Sequence, residues 1–402
     1  MEYMNKIHKG NSLEILRQMP DNLVDCIVTS PPYYLLRSYL PKDHKDKKLE
    51  LGLEETPEEY IKRLCDVFEE AKRVLKPTGT LWVNISDTYS TKSGSGFLND
   101  NIGSMKHTLK TGITEANELR GGLKIPSKSL IGIPFRFALE MMRRGFILRN
   151  SIIWFKKNCM PSSSKDRFTV DFEYIFFFVK SNKYYFETQY EPYADATIND
   201  ARFGRTDLNI TTVKKGYEEA GAQNPIEMKK RIFGKGLQLG RRKRCVWEVT
   251  TGGSKVEHYA YFPESLIDIP IKSGCPEEVC KKCGLPKEKI YEMEQTSEVK
   301  NIDSNTKYKS FEEEATVRQG FTSKIKWKPP VIKSIKYNHC NCGVGFKPGV
   351  VLDPFVGSGT SAVVALKQKK NFIGIELNQD FIDIANKRVK PFLEQKRIGD
   401  FK

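Results

Sequence analysis

Apolar and polar positions alternate in blocks through the first third of the chain. Leu23 to Thr29 (LVDCIVT) is a nearly continuous apolar run halted by Pro31-Pro32, the pattern of a buried strand that runs out into a loop. Thr56-Pro57-Glu58-Glu59 is a helix start, with Thr at the N-cap, Pro at the first helical position and Glu three residues after the cap. Ile61, Leu64, Phe68, Ala71 and Leu75 then recur at helical spacing, and Pro77-Thr78-Gly79 should end the helix before a strand over Thr80 to Ile85. A helix near Pro134 to Arg144 and strands over Ile147 to Phe155 and Phe172 to Val179 follow. The most regular stretch is last: strand Val350 to Asp353, tight loop Pro354 to Thr360, helix Ser361 to Lys370, strand Asn371 to Glu376, helix Gln379 to Val389. Strands separated by helices predict an α/β fold with a mixed, mostly parallel sheet covered on both faces. Two stretches break the alternation. Residues 91–122 are rich in Gly, Ser, Thr and Asn, read as a mobile surface loop, and 191–249 lack periodicity.

The chain has 402 residues, 39% of them hydrophobic and 11% aromatic, enough to build a core, so wholesale disorder is excluded. The densest apolar run, Tyr174 to Val179, is far too short to cross a bilayer, and MEYMNKIHKG has no apolar signal region, so a cytoplasmic protein is expected. Sixty-six Lys and Arg against 50 Asp and Glu leave a net charge of +16, which favours a polyanionic partner, nucleic acid first. Met228 to Arg244 (MKKRIFGKGLQLGRRKR) holds eight basic residues and no acidic one, suited to phosphate contact.

The glycine loop after Asp353 (PFVGSGT) admits three readings. A phosphate-binding P-loop requires a lysine after its last glycine, and Thr360 follows Gly359 here. A dinucleotide site requires a third glycine, and only Gly357 and Gly359 are present. Glu376 ends the next strand, where an acid holds ribose hydroxyls. An acid with no pyrophosphate glycine fits a nucleoside ligand such as S-adenosylmethionine. Thr29-Ser30-Pro31-Pro32-Tyr33 supplies the chemistry. Its prolines fix the backbone and remove amide donors, so acceptors dominate the loop. Such a loop can take both hydrogens of the exocyclic amine of a flipped base, at the Ser30 hydroxyl and the Pro31 carbonyl, while Tyr33 stacks on the ring. Drawing the hydrogens off favours a tetrahedral nitrogen whose lone pair attacks a sulfonium methyl in line. Methylation at a cytosine ring carbon would need a cysteine nucleophile, typically after proline, and none of the 20 prolines is followed by cysteine.

Together these residues resemble a β-class DNA amino-methyltransferase. The resemblance spans most of the chain, through GNSLEILRQMPDNLVDCIVTSPPY, LGLEETPEEYIKRL, LKPTGTLWVNISDTY, DFEYIFFFVKSNKYYF, CVWEVTTGG, EHYAYFPESLI and VVLDPFVGSGTSA. It implies a Rossmann-like S-adenosylmethionine-dependent methyltransferase fold. Ser30, Pro31, Pro32 and Tyr33 match the catalytic motif. Asp353, Phe355, Gly357 and Gly359 match the cofactor loop, and Glu376 the ribose acid. His258 to Pro263, with Phe262 and Pro263, match the stretch flanking the methionine end of the cofactor. The family's Gly-Asp is Gly10-Asn11 here, which implies a weakened contact from Asn11 to the adenine amine. Members with Ser-Pro-Pro-Tyr mostly methylate cytosine at N4, which makes cytosine N4 in double-stranded DNA the expected target. Adenine N6 is the alternative; an RNA methyltransferase or a non-catalytic DNA-binding module ranks lower. A restriction-modification context, with a cognate restriction endonuclease as partner, is also implied. The expected division is a catalytic half over 1–190, a target-recognition region over 191–250, a cofactor-binding half over 251–274 and 348–402, and a cysteine-rich insert over 275–347.

That insert holds Cys280-x2-Cys283 and Cys340-x-Cys342, with glycine following each pair. Four thiolates so spaced match a structural zinc site in a small zinc-ribbon-like element, the alternative being four inert thiols; Cys275 and His339 are substitute ligands. Cys26, Cys65 and Cys159 read as small buried side chains, and Trp82, Trp154 and Trp247 as packing. For Asp87, contact with the cofactor or base pocket and a purely structural role weigh equally.

Overall fold

The computed structural model describes residues 2–90, 116, 119–120, 123–192, 241–251, 262–294 and 331–399. Most of the expected loop at 91–122, the recognition stretch at 193–240 with most of its basic run, and His258 to Tyr261 lie outside the described residues. The chain divides into two units, one of Met1–Glu187, Arg244–Lys287 and His339–Lys402, the other of Thr188–Lys243 and Glu288–Asn338.

The first unit is built on an eight-stranded sheet. Its strands are β1 (Lys6–Lys9), β2 (Val24–Thr29), β3 (Leu75–Ile85), β4 (Ile147–Phe155), β5 (Phe172–Val179), β8 (Val246–Glu248), β13 (Val350–Asp353) and β14 (Asn371–Glu376), in the order β1-β14-β13-β2-β3-β5-β4-β8. All neighbours pair in parallel except β3 with β5 and β5 with β4, so the sheet is mixed and mostly parallel, as expected. Among the described residues these helices accompany it: α1 (Ser12–Gln18), α2 (Pro57–Val74), α3 (Ile133–Arg143), α4 (Glu264–Gly274), α5 (Thr360–Lys367) and α6 (Gln379–Gly399).

Strand period explains the two layers. Ile27, Leu81, Val83, Phe176 and Phe178 pack with Leu16, Leu64, Phe68, Phe137 and Met141 of α1, α2 and α3. The intervening residues Cys26, Val28, Trp82, Phe177 and Val179 pack on the other face with Ile267, Ile271, Val363, Val364 and Val389 of α4, α5 and α6. Continuous apolar strands are the consequence of burial on both sides. The cross-strand partners Trp82 and Phe177 stack with ring centroids 4.0 Å apart.

Two local differences from the sequence reading have physical causes, and Asp87, weighed equally between two roles, takes a structural one. The α2 helix ends at Val74, and β3 begins at Leu75, running through Pro77-Thr78-Gly79. Parallel pairing of Leu75 with Val24 extends the strand upstream of the proline. Cys26 and Cys65 are buried, but Cys159 is half-exposed, because it lies in the turn after β4. Asp87 caps α3: its carboxylate accepts the amides of Gly132 and Ile133 at 3.0–3.1 Å, and that of Thr88. Trp82, Trp154 and Trp247 are buried.

The second unit's described strands form two ribbons, β6 (Tyr190–Glu191) with β7 (Arg241–Arg242) and β10 (Glu288–Glu294) with β11 (Val331–Asn338), both antiparallel. No helix among the described residues is long and apolar enough to cross a membrane.

Asp25, an acid inside the apolar run of β2, ties three strands together. Its carboxylate accepts from Lys76 Nζ of β3 at 2.6 Å and from the Val350 amide of β13 at 2.9 Å. Asp25 is 2% and Lys76 11% exposed, so removing the acid strands a nearly buried ammonium. Asp25→Ala is expected to lower unfolding free energy by about 3 kcal/mol in urea titrations with an unchanged slope; a loss below about 1 kcal/mol would mean that Lys76 rehydrates freely.

Candidate active site

Parallel strands deliver their carboxyl ends to one edge of the sheet, and the site is assembled there. β2 ends at Thr29 and hands Ser30-Pro31-Pro32-Tyr33 to that edge; β13 ends at Asp353 and hands over the glycine loop. One carboxylate joins the two. Thr29 Oγ1 donates to Asp353 Oδ1 at 2.6 Å, Ser361 Oγ donates to Oδ2 at 2.6 Å, and the Phe355 amide donates to Oδ1 at 3.0 Å. Asp353 is 2% exposed, and burial pushes its carboxyl up to about 6 despite these donors.

The loop's shape depends on its glycines. Gly357 (φ +51°) turns its N–H onto Glu376 Oε2 at 2.9 Å. Gly359 (φ +85°) lies against α6, where an added Cβ would come within 2.8 Å of the Ala385 Cβ, so neither its conformation nor its space admits a side chain. Arg388 of α6 latches the loop from behind, donating to the Ser358 carbonyl at 2.8 Å and to Thr360 Oγ1 at 3.0 Å. Glu376 Oε1 accepts the amides of Leu377 and Asn378, both at 2.9 Å, and burial raises its carboxyl to about 7.

A cavity of about 350 Å³ opens at this edge. Ser30, Pro31, Pro32 and Tyr33 line it together with Asn11, Phe262, Phe355, Gly357 and Glu376. The structure thus brings most of the candidate residues into one space. Asp353, Gly359 and Pro263 do not line it. Asp353 braces the loop from below, Gly359 is the N-cap of α5, and Pro263 is the N-cap of α4. Asn11 caps α1, its Oδ1 accepting the amides of Leu13 at 3.0 Å and Glu14 at 3.3 Å.

Three further residues at the cavity, Asn84, Lys156 and Glu173, were not singled out by sequence, and Trp154, read as packing, lines it too. Glu173 is buried and opens β5; because β5 runs antiparallel to β3 and β4, its first residues reach the edge where β3 and β4 end. The Tyr33 hydroxyl donates to Glu173 Oε2 at 2.6 Å, and Asn84 Nδ2 donates to the same oxygen at 3.0 Å. Lys156 Nζ pairs with Glu173 Oε1 and lies 4.6 Å from the Trp154 ring centroid. Ser30 Oγ donates to the Tyr33 hydroxyl at 3.2 Å. Burial, and then Glu173, raise the Tyr33 phenol above its ordinary range. The available signal was the lone acid near the head of an apolar strand in FEYIFFFV.

Away from this cavity, Cys280, Cys283, Cys340 and Cys342 converge, with all four Sγ atoms within 4.8 Å of one another. The small antiparallel pair β9 (Glu278–Cys280) and β12 (Phe346–Pro348) sets them together, in register Phe346 to Cys280. His339 and Cys275, the substitutes, are not in this group: His339 stacks edge-on against Phe346, and Cys275 is buried at the end of α4.

This edge sets the Ser30-Pro31-Pro32-Tyr33 tetrapeptide beside the glycine loop in one cavity. The sequence model of the DNA methylase family matches residues 24–280 and 345–387, and the chain belongs to this N6/N4 family of DNA methylases. Its methyl donor is S-adenosylmethionine. Over 385 residues the chain is 29% identical to Type II methyltransferase M.Cfr9I of Citrobacter freundii, covering 96% of this chain and 87% of that one. It is 27% identical over 386 residues to Type II methyltransferase M.SmaI of Serratia marcescens, covering 96% and 90%. Among solved structures, the cytosine-N4-specific PvuII DNA methyltransferase shares 15% identity at a TM-score of 0.46, covering 95% of this chain and 85% of that one.

The raised carboxyl of Glu376 makes stability depend on pH. It stays protonated in the folded chain up to about pH 7, whereas in the unfolded chain it ionises near pH ~4.3. Its contribution is therefore full below about pH 4 and is lost as pH rises through about 7. Glu376→Gln, which mimics the protonated group, should match the wild type near pH 4 and unfold at higher urea near pH 8. Parallel stability curves across that range would refute a raised carboxyl.

Proposed function

We propose that this chain methylates the exocyclic N4 amine of a cytosine flipped out of double-stranded DNA. The observation that carries the reading is that Ser30, Pro31 and Tyr33 share one cavity with Gly357 and Glu376. The donor supplies an electrophilic methyl on a sulfonium; the chain supplies placement. Ser30 gives its own hydrogen to Tyr33, which turns its oxygen lone pairs toward an incoming amine. The Pro31 carbonyl takes the second amine hydrogen, and Pro32 holds the loop rigid. Tyr33 keeps its ring as a stacking surface, its hydroxyl pinned by Glu173. On the cofactor side, Glu376 receives the ribose hydroxyls, Gly357 allows close approach, and Phe355 and Phe262 wall the loop. Asp353 and Gly359 act by shaping that loop. Asn11 already spends its oxygen on the α1 amides, so it contributes less to adenine than an acid whose second oxygen is available.

The serine in the tetrapeptide is what favours cytosine over adenine. The basic stretch near 228–244 supports recognition of DNA by the 191–250 region. The names of the Type II relatives support membership of a restriction-modification system with a partner endonuclease.

Nucleoside mass spectrometry of DNA incubated with the protein and S-adenosylmethionine should yield N4-methylcytosine. N6-methyladenine would keep the site and change the base; neither product, on DNA of varied sequence, would overturn the reading. Tyr33→Ala and Pro31→Ala should each lose about 100-fold or more in turnover while cofactor affinity by calorimetry stays near wild type. Ribose hydroxyls donate to an ionised carboxylate, so cofactor affinity should weaken as pH falls through about 7, with proton release on binding below that pH. Glu376→Gln should abolish this dependence.

A further inference from the structure

We infer that the chain carries one structural zinc ion on the thiolates of Cys280, Cys283, Cys340 and Cys342. The cluster is built rather than accidental. A tetrahedral zinc with bonds of ~2.3 Å spaces its sulfurs ~3.8 Å apart, and the four Sγ atoms already lie within 4.8 Å of one another. Both pairs sit in tight turns that only left-handed residues close: Gly284 (φ +71°) follows Cys283, and Gly343 (φ +67°) follows Cys342. The turns aim backbone N–H groups at sulfur, from Lys282 and Cys283 onto Cys280 and from Cys342 onto Cys340. N–H donors onto sulfur favour thiolate over thiol. The knuckles are anchored by main-chain bonds, Lys281 N–H to the Gly345 carbonyl at 3.1 Å and Gly349 N–H to the Glu277 carbonyl at 3.4 Å. In chain order the 56 residues between Cys283 and Cys340 include both strands of the β10–β11 ribbon.

Elemental analysis of the full chain, purified without chelator, should find about one zinc per protein. Cys283→Ser and Cys340→Ser should drop it to background, and Cys159→Ser and Cys245→Ser should not. Because a ligand variant could misfold, cobalt exchange into the wild type gives a second readout: intense thiolate-to-cobalt charge-transfer bands and tetrahedral d–d absorption. A folded, metal-free wild type that refuses cobalt would overturn the assignment. So would the same four sulfurs found paired as disulfides in a thiol titration.

A second inference rests on the amine-methylation reading but on a different observation, the hydrogen-bond chain from Ser30 Oγ to Tyr33 Oη (3.2 Å) to Glu173 Oε2 (2.6 Å). We propose that Glu173 is the terminal acceptor of the proton that leaves the amine. The nitrogen lone pair forms the new N–C bond as the C–S bond breaks, its electron pair staying on sulfur. The methylated nitrogen, now positive, passes a proton to Ser30 Oγ; the Ser30 proton moves to Tyr33, and the Tyr33 proton to the Glu173 carboxylate. Lys156 and Asn84, on the same carboxylate, hold it in place and fix its orientation.

Single-turnover rates on a preformed complex with DNA and saturating cofactor test it. Glu173→Gln keeps an acceptor for Tyr33 but cannot take a proton, and Tyr33→Phe keeps the ring but breaks the chain. Both should lose at least about tenfold in rate. The wild type's solvent isotope effect should vanish in both. Either variant reacting within threefold of the wild type, or retaining the solvent isotope effect, overturns the relay. A wild type inactive on all DNA would instead overturn the methylation reading itself.

Discussion

A single buried carboxylate sets the spacing on which the site depends. Asp353 receives the Thr29 hydroxyl from the end of β2, the Ser361 hydroxyl from α5 and the Phe355 amide from its own loop. Thr29 immediately precedes the tetrapeptide, and Ser361 follows the glycine loop. The two halves of the candidate site, more than 300 residues apart in sequence, are therefore pinned to one group of atoms. Methyl transfer in line tolerates little error in the distance between amine and sulfonium, so a short, charge-assisted link at this point has a direct chemical use.

The arrangement has an electrostatic cost. Asp353 is buried and Glu376 half-buried at the same sheet edge, and desolvation raises both carboxyls, to about 6 and about 7. Asp25, lower in the same sheet, is also buried but sits beside Lys76, whose charge opposes the rise. An acid kept for structure is given a cation. Glu376, which lines the cavity, accepts only backbone amides among the described residues.

Backbone direction accounts for the polar cluster behind Tyr33. Parallel strands bring only their last residues to the site edge, so a residue at the start of a strand is ordinarily remote from it. Reversal of β5 relative to β3 and β4 moves Glu173 to the edge that holds Asn84 and Lys156. That same reversal makes the sheet mixed rather than wholly parallel.

Much of this was legible from residue order. Apolar runs bounded by Pro and Gly marked the strands around the site, since burial on both faces leaves a continuous signal. The bounds of β4, β5, β13 and β14 match the expected ones. The tetrapeptide and glycine loop were legible because their chemistry is local, written in adjacent residues. The N-terminal reach of β3 and the α3 cap at Asp87 were not, because each depends on a partner distant in sequence. Sequence likewise named Asp353, Gly359 and Asn11 as cofactor residues without distinguishing contact from support. Only the tertiary structure put Asp353 beneath the loop, Gly359 against Ala385 and the Asn11 oxygen on the α1 amides, because burial and hydrogen-bond partners arise from packing. The chain's own order determined which groups are available; the register and direction of the strands decided which of them meet.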